Sequence, residues 1–476
     1  MPPRPAPRRF PTLPHPPAEP VRSVVVVGAG LAGAQTVAAL RQHGFDGRVT
    51  MLGAEGVAPY DRPPLSKELF TRPDPVWLSD DLGVDVEKFA DEVRLADPAR
   101  RLTVSPDGVT AHTASGDRIH ADAVVLAMGS EPMRPGGWES AWTLHTADDA
   151  ARLRAALRPG LRLVVVGAGW IGAEIAGVAA GQGAEVTVVE AAAAPLARQL
   201  GAGVGARLAP WFEAAGVRLL TGSRVAAVRP DGVTLASATA DTAPADIVSA
   251  DVVLAAVGAR PATGWLAGTL PLDAHGRLHV DASGRLMGHA GPTDPAGRLA
   301  PAALARVWAV GDVAVRQHPV FGPVPGGHWS AALHDPEVTV RAMLGLDPSP
   351  SDPEDLRARL GLAPVPRHAP YVFSRQLGHD LALLGLPSEA DDVVLRGDPS
   401  AVGPWAALYL ERALDRHPQV TPQGHPVATV RAVLLVDSPR EVGAARRLMN
   451  GPTPLRVDLT RAVDPAVRLR DAAVAG

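Results

Sequence analysis

Two glycine-rich loops in this chain have the spacing that binds the diphosphate of a dinucleotide. They read Gly28-Ala29-Gly30-Leu31-Ala32-Gly33 and Gly167-Ala168-Gly169-Trp170-Ile171-Gly172. The first glycine of such a loop makes a tight turn, the second lets the backbone approach the phosphates, and the third packs a helix against a strand. A single loop is weak evidence, because a tight turn needs no ligand, but two complete loops predict two dinucleotide sites. The predicted binding glycines are Gly28, Gly30 and Gly33 in one loop and Gly167, Gly169 and Gly172 in the other.

An acidic residue after the second strand of such a unit binds an adenosine ribose and repels a 2′-phosphate. In the second unit this residue is Glu190, which lies 23 residues beyond Gly167 and is followed by four alanines. We therefore predict that the second site binds NADH rather than NADPH. In the first unit the equivalent position is Gly53, and the nearest acid is Glu55. We predict that Glu55 contacts a ribose, with a solvated loop carboxylate as the alternative.

Two further residues have types suited to a ligand crevice. Asp312 follows Gly311 at the end of an apolar run, and the carboxyl ends of parallel strands face the ligand in α/β sheets. Its alternative role is to cap a helix N-terminus. Lys67 is one of only two lysines among the 46 Lys and Arg residues. A lysine at a position where this chain otherwise uses arginine indicates a need for a compact ammonium group. The alternative is that Lys67 remains by chance.

Each glycine loop lies between a continuously apolar strand and a helix, which is typical of a buried parallel sheet. The predicted strands are 24–27, 48–52, 161–166 and 185–189, and the predicted helices end near 43 and 181. Apolar alternation returns from about residue 367 and ends in a helix near 440–449. The pattern predicts an α/β fold with two Rossmann-like dinucleotide-binding domains and a C-terminal α+β domain.

Composition excludes several classes of protein. The chain has 476 residues, of which 46% are hydrophobic, and this length predicts two to four domains. The absence of cysteine excludes disulfides, thiol nucleophiles and a cysteine-held iron–sulfur cluster within the chain. A net charge of −4 provides no basic field for nucleic acid. No apolar run is long enough for a membrane helix, and no set of side chains has the spacing of metal ligands. Residues 1–20 are predicted to be a disordered Pro-rich tail, and the protein is expected to be cytoplasmic.

Taken together, these residues resemble a known family. The segment PYDRPPLSK at 59–67, the paired glycine loops and WAVGD at 308–312 are similar to the FAD-dependent ferredoxin reductases of oxygenase systems. The resemblance covers about 21–476 and implies a glutathione-reductase-like two-domain flavoprotein. The implied parts are an FAD domain at 21–142 and 264–344, an NAD domain at 143–263, a linker at 345–366 and a C-terminal reductase domain at 367–476.

The resemblance also implies roles for individual residues. The residues expected to hold FAD are the glycines of the first loop with Glu55, Arg62, Lys67, Gly129, Gly311, Asp312 and Trp329. The second loop and Glu190 would hold NADH. Lys67 would lie close to the flavin and pair with Glu174, whose alternative is an exposed acid in the first turn of a helix. Trp170 would cover the flavin until the nicotinamide arrives, and its alternative role is packing between domains. Trp329 would lie near the flavin, and its alternative role is that of a core tryptophan.

The implied reaction is electron transfer from NADH through FAD to a [2Fe–2S] ferredoxin of a P450 or ring-hydroxylating oxygenase system, by a monomer or homodimer. The alternatives are an NADH oxidase or diaphorase, and a redox-sensing flavoprotein similar to apoptosis-inducing factor. Three features depart from the family pattern. Met128 replaces the usual threonine and removes a hydroxyl near FAD, and Arg375 replaces the usual acid in VFSRQ at 372–376. Insertions are also predicted at 286–304 and 345–366.

Overall fold

The structure, a computed structural model, describes residues 21–236, 246–288, 299–346, 368–412 and 419–474. The predicted tail at 1–20 lies outside the described residues, as do most of the insertion at 286–304 and nearly all of the linker at 345–366. In the part of the chain that is described, no helix combines the length and the apolar character needed to cross a membrane.

The first part of the chain begins with a βαβ unit and adds a small antiparallel sheet. Its strands are β1 (Ser23–Val27), β2 (Arg48–Leu52), β3 (Tyr60–Asp61), β4 (Val76–Trp77), β5 (Glu92–Arg94), β6 (Ala99–Ser105), β7 (Gly108–Thr113), β8 (Arg118–Ala121), β9 (Ala123–Leu126) and β10 (Ser130–Pro132). Its helices are α1 (Leu31–Gln42), α2 (Pro64–Lys67), α3 (Leu78–Asp81) and α4 (Val86–Phe89).

The next part repeats the βαβ unit. Its strands are β11 (Arg162–Val166), β12 (Glu185–Val189), β13 (Arg218–Leu220), β14 (Val225–Arg229), β15 (Gly232–Leu235), β16 (Ile247–Ser249), β17 (Val252–Ala255) and β18 (Ala259–Pro261). Its helices are α5 (Ala147–Ala156), α6 (Trp170–Gly181), α7 (Ala197–Leu200) and α8 (Ala202–Ala214).

The chain then returns to the first unit before it forms a separate C-terminal sheet. The returning elements are β19 (Leu278–Val280), α9 (Pro301–Leu304), β20 (Val307–Ala309), β21 (Ala314–His318), β22 (Gly322–Pro325) and α10 (Trp329–Met343). The C-terminal elements are β23 (Tyr371–Gln376), β24 (His379–Gly385), β25 (Asp392–Arg396), β26 (Trp405–Leu410), β27 (Val427–Val436), α11 (Pro439–Met449), β28 (Leu455–Asp458), α12 (Leu459–Val463) and α13 (Leu469–Ala472).

The first parallel sheet has the strand order β20-β9-β1-β2-β5. The side chains of β1 alternate between the two faces of this sheet: Val24 and Val26 pack with α1 and α10, whereas Val25 and Val27 pack with β6 and β7. All four valines are at most 3% exposed, as a strand buried on both faces requires. Because β20 follows the second βαβ unit in sequence, the chain leaves this sheet and later returns to complete it.

The second parallel sheet has the order β13-β12-β11-β17. The predicted strand 185–189 is β12, and the predicted strand 161–166 is β11, which begins one residue later. The C-terminal sheet is antiparallel, in the order β23-β24-β27-β26-β25 with β28 paired to β27. These three sheets confirm the predicted fold class of two Rossmann-like domains followed by a C-terminal domain of mixed structure. The parts of the chain that are built on the first parallel sheet, the second parallel sheet and the C-terminal sheet are called the first, second and C-terminal domains.

Candidate functional site

In the first glycine loop, packing fixes two glycines and leaves the third open. A Cβ on Gly28, whose φ is +115°, would lie 2.2 Å from the carbonyl oxygen of Ala127, and a Cβ on Gly33 would lie 1.8 Å from the carbonyl oxygen of Gly28. A Cβ on Gly30 would meet no atom within 4 Å. Gly30 immediately precedes α1, so the open space lies at a helix N-terminus, where a phosphate is stabilised. These residues therefore fit a bound diphosphate.

The second loop repeats this geometry. A Cβ on Gly167, whose φ is +103°, would lie 2.5 Å from the carbonyl oxygen of Ala256, and a Cβ on Gly172 would lie 2.0 Å from that of Gly167. The nearest atom to a Cβ on Gly169 is the side-chain nitrogen Nε2 of Gln199, at 3.9 Å. Gln199, which lies in α7, was not predicted from the sequence, because no motif marks it.

Backbone amides hold the Glu190 carboxylate beside the second loop. Its Oε2 accepts a hydrogen bond from the amide of Ala168, within the loop, at 2.7 Å, and its Oε1 accepts one from the amide of Ala192 at 2.7 Å. A carboxylate fixed at this place can accept bonds from a ribose and repels an additional phosphate.

Glu55 is held by side chains of the PYDRPPLSK segment. The Arg62 guanidinium forms an ion pair with it at 2.5 Å, and the Tyr60 hydroxyl donates to its other carboxylate oxygen at 2.5 Å. Arg62 also donates to the carbonyl oxygen of His145, at the start of the chain's passage into the second domain. Burial raises the pKa of Tyr60 and lowers the pKa of His145. Glu55 is thus held by two side chains although the residue is exposed, and its contact with a ribose stays a prediction.

Asp312 lies at the carboxyl end of the first sheet, within a short 3-10 helix, Gly311–Val313. Its carboxylate accepts hydrogen bonds from the Ser130 hydroxyl at 2.9 Å and from the amide of Gly327 at 3.0 Å. It does not cap this 3-10 helix, which begins after Val310. Gly129 has φ +69° and open space around its Cα, so the backbone next to Ser130 is accessible to a ligand.

Lys67 and Glu174 form a buried ion pair between the first and second domains, with Nζ 3.0 Å from Oε1. The Glu174 side chain is 2% exposed, so the alternative of an exposed helix acid is wrong. Ser66 donates to Glu174 Oε2 at 2.5 Å, and Ser374 of the C-terminal domain donates to Oε1 at 2.5 Å. Gln376 in turn donates to the Ser374 hydroxyl at 3.2 Å. The two serines and the glutamine were not predicted from the sequence as partners of the pair.

Trp329 lies at the start of α10 beside the same pair. Its indole nitrogen donates to Asp61 at 3.0 Å, and its ring meets Phe373 edge to face at 5.8 Å. The Lys67 ammonium lies 5.0 Å from the centre of the Phe373 ring. Burial raises the pKa of Asp61. Asp61 is therefore a further site residue that was not predicted from the sequence.

Trp170 begins α6 and is partly buried against an apolar cluster that joins the second and C-terminal domains. The members of this cluster include Leu196, Leu200, Trp211, Leu381 and Tyr409. The contacts are those of the packing alternative, and the role of Trp170 as a cover for the flavin stays a prediction.

Arg375, the departure from the family signature, faces Asp380 across the β23–β24 pair. Their side chains form an exposed ion pair at 2.9 Å. Arg375 and Asp380 together therefore carry a net charge close to zero. Among the described residues, no group of three or more His, Asp or Glu side chains is arranged to hold a metal ion.

Residues 22–335 match the family described as pyridine nucleotide-disulphide oxidoreductase, and the chain belongs to this family. It is 30% identical over 473 residues to the probable ferredoxin reductase CtmF of Castellaniella defragrans, covering 95% of this chain and 98% of that protein. It is 31% identical over 459 residues to the ferredoxin–NAD(+) reductase component of the anthranilate 1,2-dioxygenase system of Burkholderia cepacia, covering 94% and 98%. Compared with the crystal structure of Fdr9, the chain has 34% sequence identity and a TM-score of 0.75, and the match covers 94% of this chain and 99% of that one. The family resemblance expected from the sequence is confirmed.

Proposed function

We propose that this protein is an NADH-dependent ferredoxin reductase, a flavoprotein that uses FAD to pass electrons from NADH to a [2Fe–2S] ferredoxin of a P450 or ring-hydroxylating oxygenase system. The observation that carries the proposal is the buried Lys67–Glu174 pair, which joins the first domain to the helix that follows the second glycine loop. The name of the Burkholderia cepacia relative, a ferredoxin–NAD(+) reductase component, supports the same activity here.

FAD supplies the chemistry that couples a two-electron donor to one-electron acceptors. The open space at Gly30 would receive its diphosphate at the N-terminus of α1. Asp312 would accept a hydrogen bond from a ribityl hydroxyl, and Glu55 would accept one from the ribose. The remaining residues proposed to line this site are Gly28, Gly33, Arg62, Gly129 and Gly311.

The second loop would hold NADH in the same manner, with its diphosphate at Gly169 and its ribose on Glu190. The fixed position of the Glu190 carboxylate supports a preference for NADH over NADPH. Gly167 and Gly172 would keep the loop tight against α6.

Lys67 would hold a positive charge close to the flavin, and Glu174 would keep this ammonium in place because both groups are shielded from water. An ammonium aimed in advance at a reacting ring stabilises negative charge there without reorganisation during the reaction. Trp170 would cover the flavin until the nicotinamide displaces it, and Trp329, fixed by Asp61, would lie near the flavin.

The chain contains no cysteine, so a cysteine-held cluster that accepts the electrons would belong to a separate ferredoxin. We include in the proposal a monomer or homodimer acting in the cytoplasm. We also include the division into an FAD domain at 21–142 and 264–344, an NAD domain at 143–263 and a C-terminal domain at 367–476. The return of β20 to the first sheet supports this division.

The test is an anaerobic titration of the purified protein with NADH and, separately, with NADPH, followed by its visible absorption. We expect a yellow protein that is bleached by about one equivalent of NADH and that NADPH at the same concentration bleaches at least about tenfold more slowly, since the Glu190 charge opposes a 2′-phosphate. Glu190→Ala should narrow this difference, and Glu185→Ala, a charge removal at the opposite end of β12, should not. A colourless protein, or one that NADH does not bleach, would refute the proposal.

A further inference from the structure

Strand β23 of the C-terminal domain lies between the first and second domains, and its two faces contact different partners. On one face, Tyr371 stacks on Phe373 at 5.8 Å, and Phe373 meets Trp329 of the first domain. On the opposite face, Ser374 and Gln376 are 3% and 2% exposed, and Ser374 contacts Glu174 of the second domain. Because side chains alternate along a strand, one short segment contacts both nucleotide domains at once.

The polar contact on the second face involves all three domains. The Glu174 carboxylate forms an ion pair with Lys67 and accepts a hydrogen bond from Ser66, both of the first domain. It also accepts a hydrogen bond from Ser374 of the C-terminal domain. A buried carboxylate is stable only when such partners replace the water that it has lost. Removal of one donor therefore alters the position that the others can hold.

An apolar contact reinforces this arrangement one turn further along α6. The β23–β24 turn is formed by Leu377 and Gly378, both with positive φ. A Cβ on Gly177 of α6 would lie 2.8 Å from the backbone nitrogen of Leu377, so only glycine allows the turn to approach this closely. Leu377 itself packs against the core of the second domain. The C-terminal strand and turn thus contact α6 at two successive turns.

We infer that Ser374 is a positioning residue for hydride transfer: through Glu174 it fixes both the Lys67 ammonium and helix α6, whose N-terminus carries the second glycine loop. The inference rests on the proposed function. The C-terminal domain, in addition to flanking the flavin site, then sets the relative position of the two nucleotide domains. Ser66 makes the matching contact from the first domain.

The experiment compares Ser374→Ala with the wild-type holoenzyme and with a matched control. Ser283→Ala is the control, because Ser283 is also 3% exposed and also donates to a carboxylate at 2.5 Å, that of Asp281, away from α6. Stopped-flow absorption gives the rate constant of flavin reduction at saturating NADH and the apparent dissociation constant of NADH. We expect Ser374→Ala to lower the rate constant about tenfold and to change the dissociation constant less than about twofold, since the contact acts on alignment and not on binding. Ser283→Ala should change neither.

Two further variants separate positioning from a general loss of structure. Ser374→Thr, which keeps a hydroxyl, should recover most of the rate constant. In a Glu174→Gln background, Ser374→Ala should have a much smaller effect, because the contact that it removes is already altered. An unchanged rate constant in Ser374→Ala, or the same fold-change with and without Glu174→Gln, would overturn the inference.

A readout without NADH keeps this inference distinguishable from the proposed function. Amide hydrogen exchange of residues 170–181 should be at least about threefold faster in Ser374→Ala than in Ser283→Ala, because α6 has lost a tertiary contact. Unchanged exchange overturns the inference even where the wild type is reduced by NADH. Failure of the wild type to be reduced by NADH overturns the proposed function, and the exchange rates then decide whether Ser374 positions α6.

Discussion

The glycines of the first loop differ in what surrounds their Cα atoms, and this difference separates folding from binding. Gly30 has an extended backbone that any residue adopts, and a methyl group added there would have no neighbour within 4 Å. Gly33, in contrast, would bring a methyl group against the carbonyl oxygen of Gly28. We therefore predict that a bound ligand requires glycine at position 30, whereas the fold itself requires glycine at position 33.

Gly30→Ala should fold normally and bind FAD about 30-fold more weakly, a loss of about 2 kcal/mol, because the methyl group occupies the space of the diphosphate. Gly33→Ala should lose about 3 kcal/mol or more of folding stability. Urea unfolding of the apoprotein and titration with FAD measure the two quantities. Equal effects of the two changes on both quantities would contradict this division.

At this scale, local spacing was sufficient to predict where the glycines and Glu190 lie, because each position follows from one loop and one strand. Their roles in binding stay predictions. The Lys67–Glu174 contact came from the family resemblance. Ser374 and Asp61 were not found, because their partners lie 200 and 268 residues away in sequence. Such contacts are determined by how domains pack, and no short pattern records them.

The junction between α10 and the segment that leads into β23 contains two stacked histidines. The rings of His334 and His368 lie 3.8 Å apart, and burial together with His368 and Arg446 lowers the pKa of His334 to about 4. Burial also lowers the pKa of His368, against the opposing charges of Asp335 and Glu337. Both rings are therefore neutral in the folded protein at pH 7.

The free energy of unfolding should fall as the pH decreases from about 7 towards about 4, because the unfolded chain binds protons at these histidines before the folded chain does. His334→Asn should remove about 1 kcal/mol of the difference between pH 7 and pH 5, a value reduced for the partial exposure of the ring. Urea unfolding at the two pH values measures it. A variant with the same pH dependence as the wild type would exclude this pair as the source.

Elements with a continuous apolar pattern were predicted correctly: 24–27 lies within β1, and 185–189 is β12. The predicted C-terminal helix near 440–449 is α11, Pro439–Met449. Short elements such as β3 and α2 gave no periodic signal, because two to four residues span about one period of burial and a repeat cannot be recognised from one period. Their positions depend on the packing of the PYDRPPLSK segment between domains.

The second and C-terminal domains share an apolar interface that couples their stability. Trp211 of α8 stacks on His379 of β24 at 3.9 Å, and the Tyr409 hydroxyl donates to the carbonyl oxygen of Leu200 at 2.9 Å. Neither contact could be predicted from the sequence. The apolar pattern of these elements is the same whether they pack against each other or in two separate cores.

Trp211→Ala should cost about 3 kcal/mol and separate the thermal unfolding of the two domains into two transitions, because it removes a large ring at their interface. The matched control is Trp138→Ala, since both tryptophans are 9% exposed and Trp138 packs against β11, β12 and β17, away from the C-terminal domain. Calorimetry distinguishes the two variants. Two transitions in the control as well, or one in Trp211→Ala, would contradict the coupling.

The whole molecule is proposed to carry electrons from NADH to a ferredoxin. The most direct measurement is to reduce the protein anaerobically with NADH and to mix it with an oxidised [2Fe–2S] ferredoxin or with oxygen, following the return of flavin absorption. We predict that the ferredoxin reoxidises the flavin at least about a hundredfold faster than oxygen at equal concentration, a difference of about 2.7 kcal/mol in barrier. Reoxidation by oxygen at a comparable rate, or none by any ferredoxin, would contradict the account.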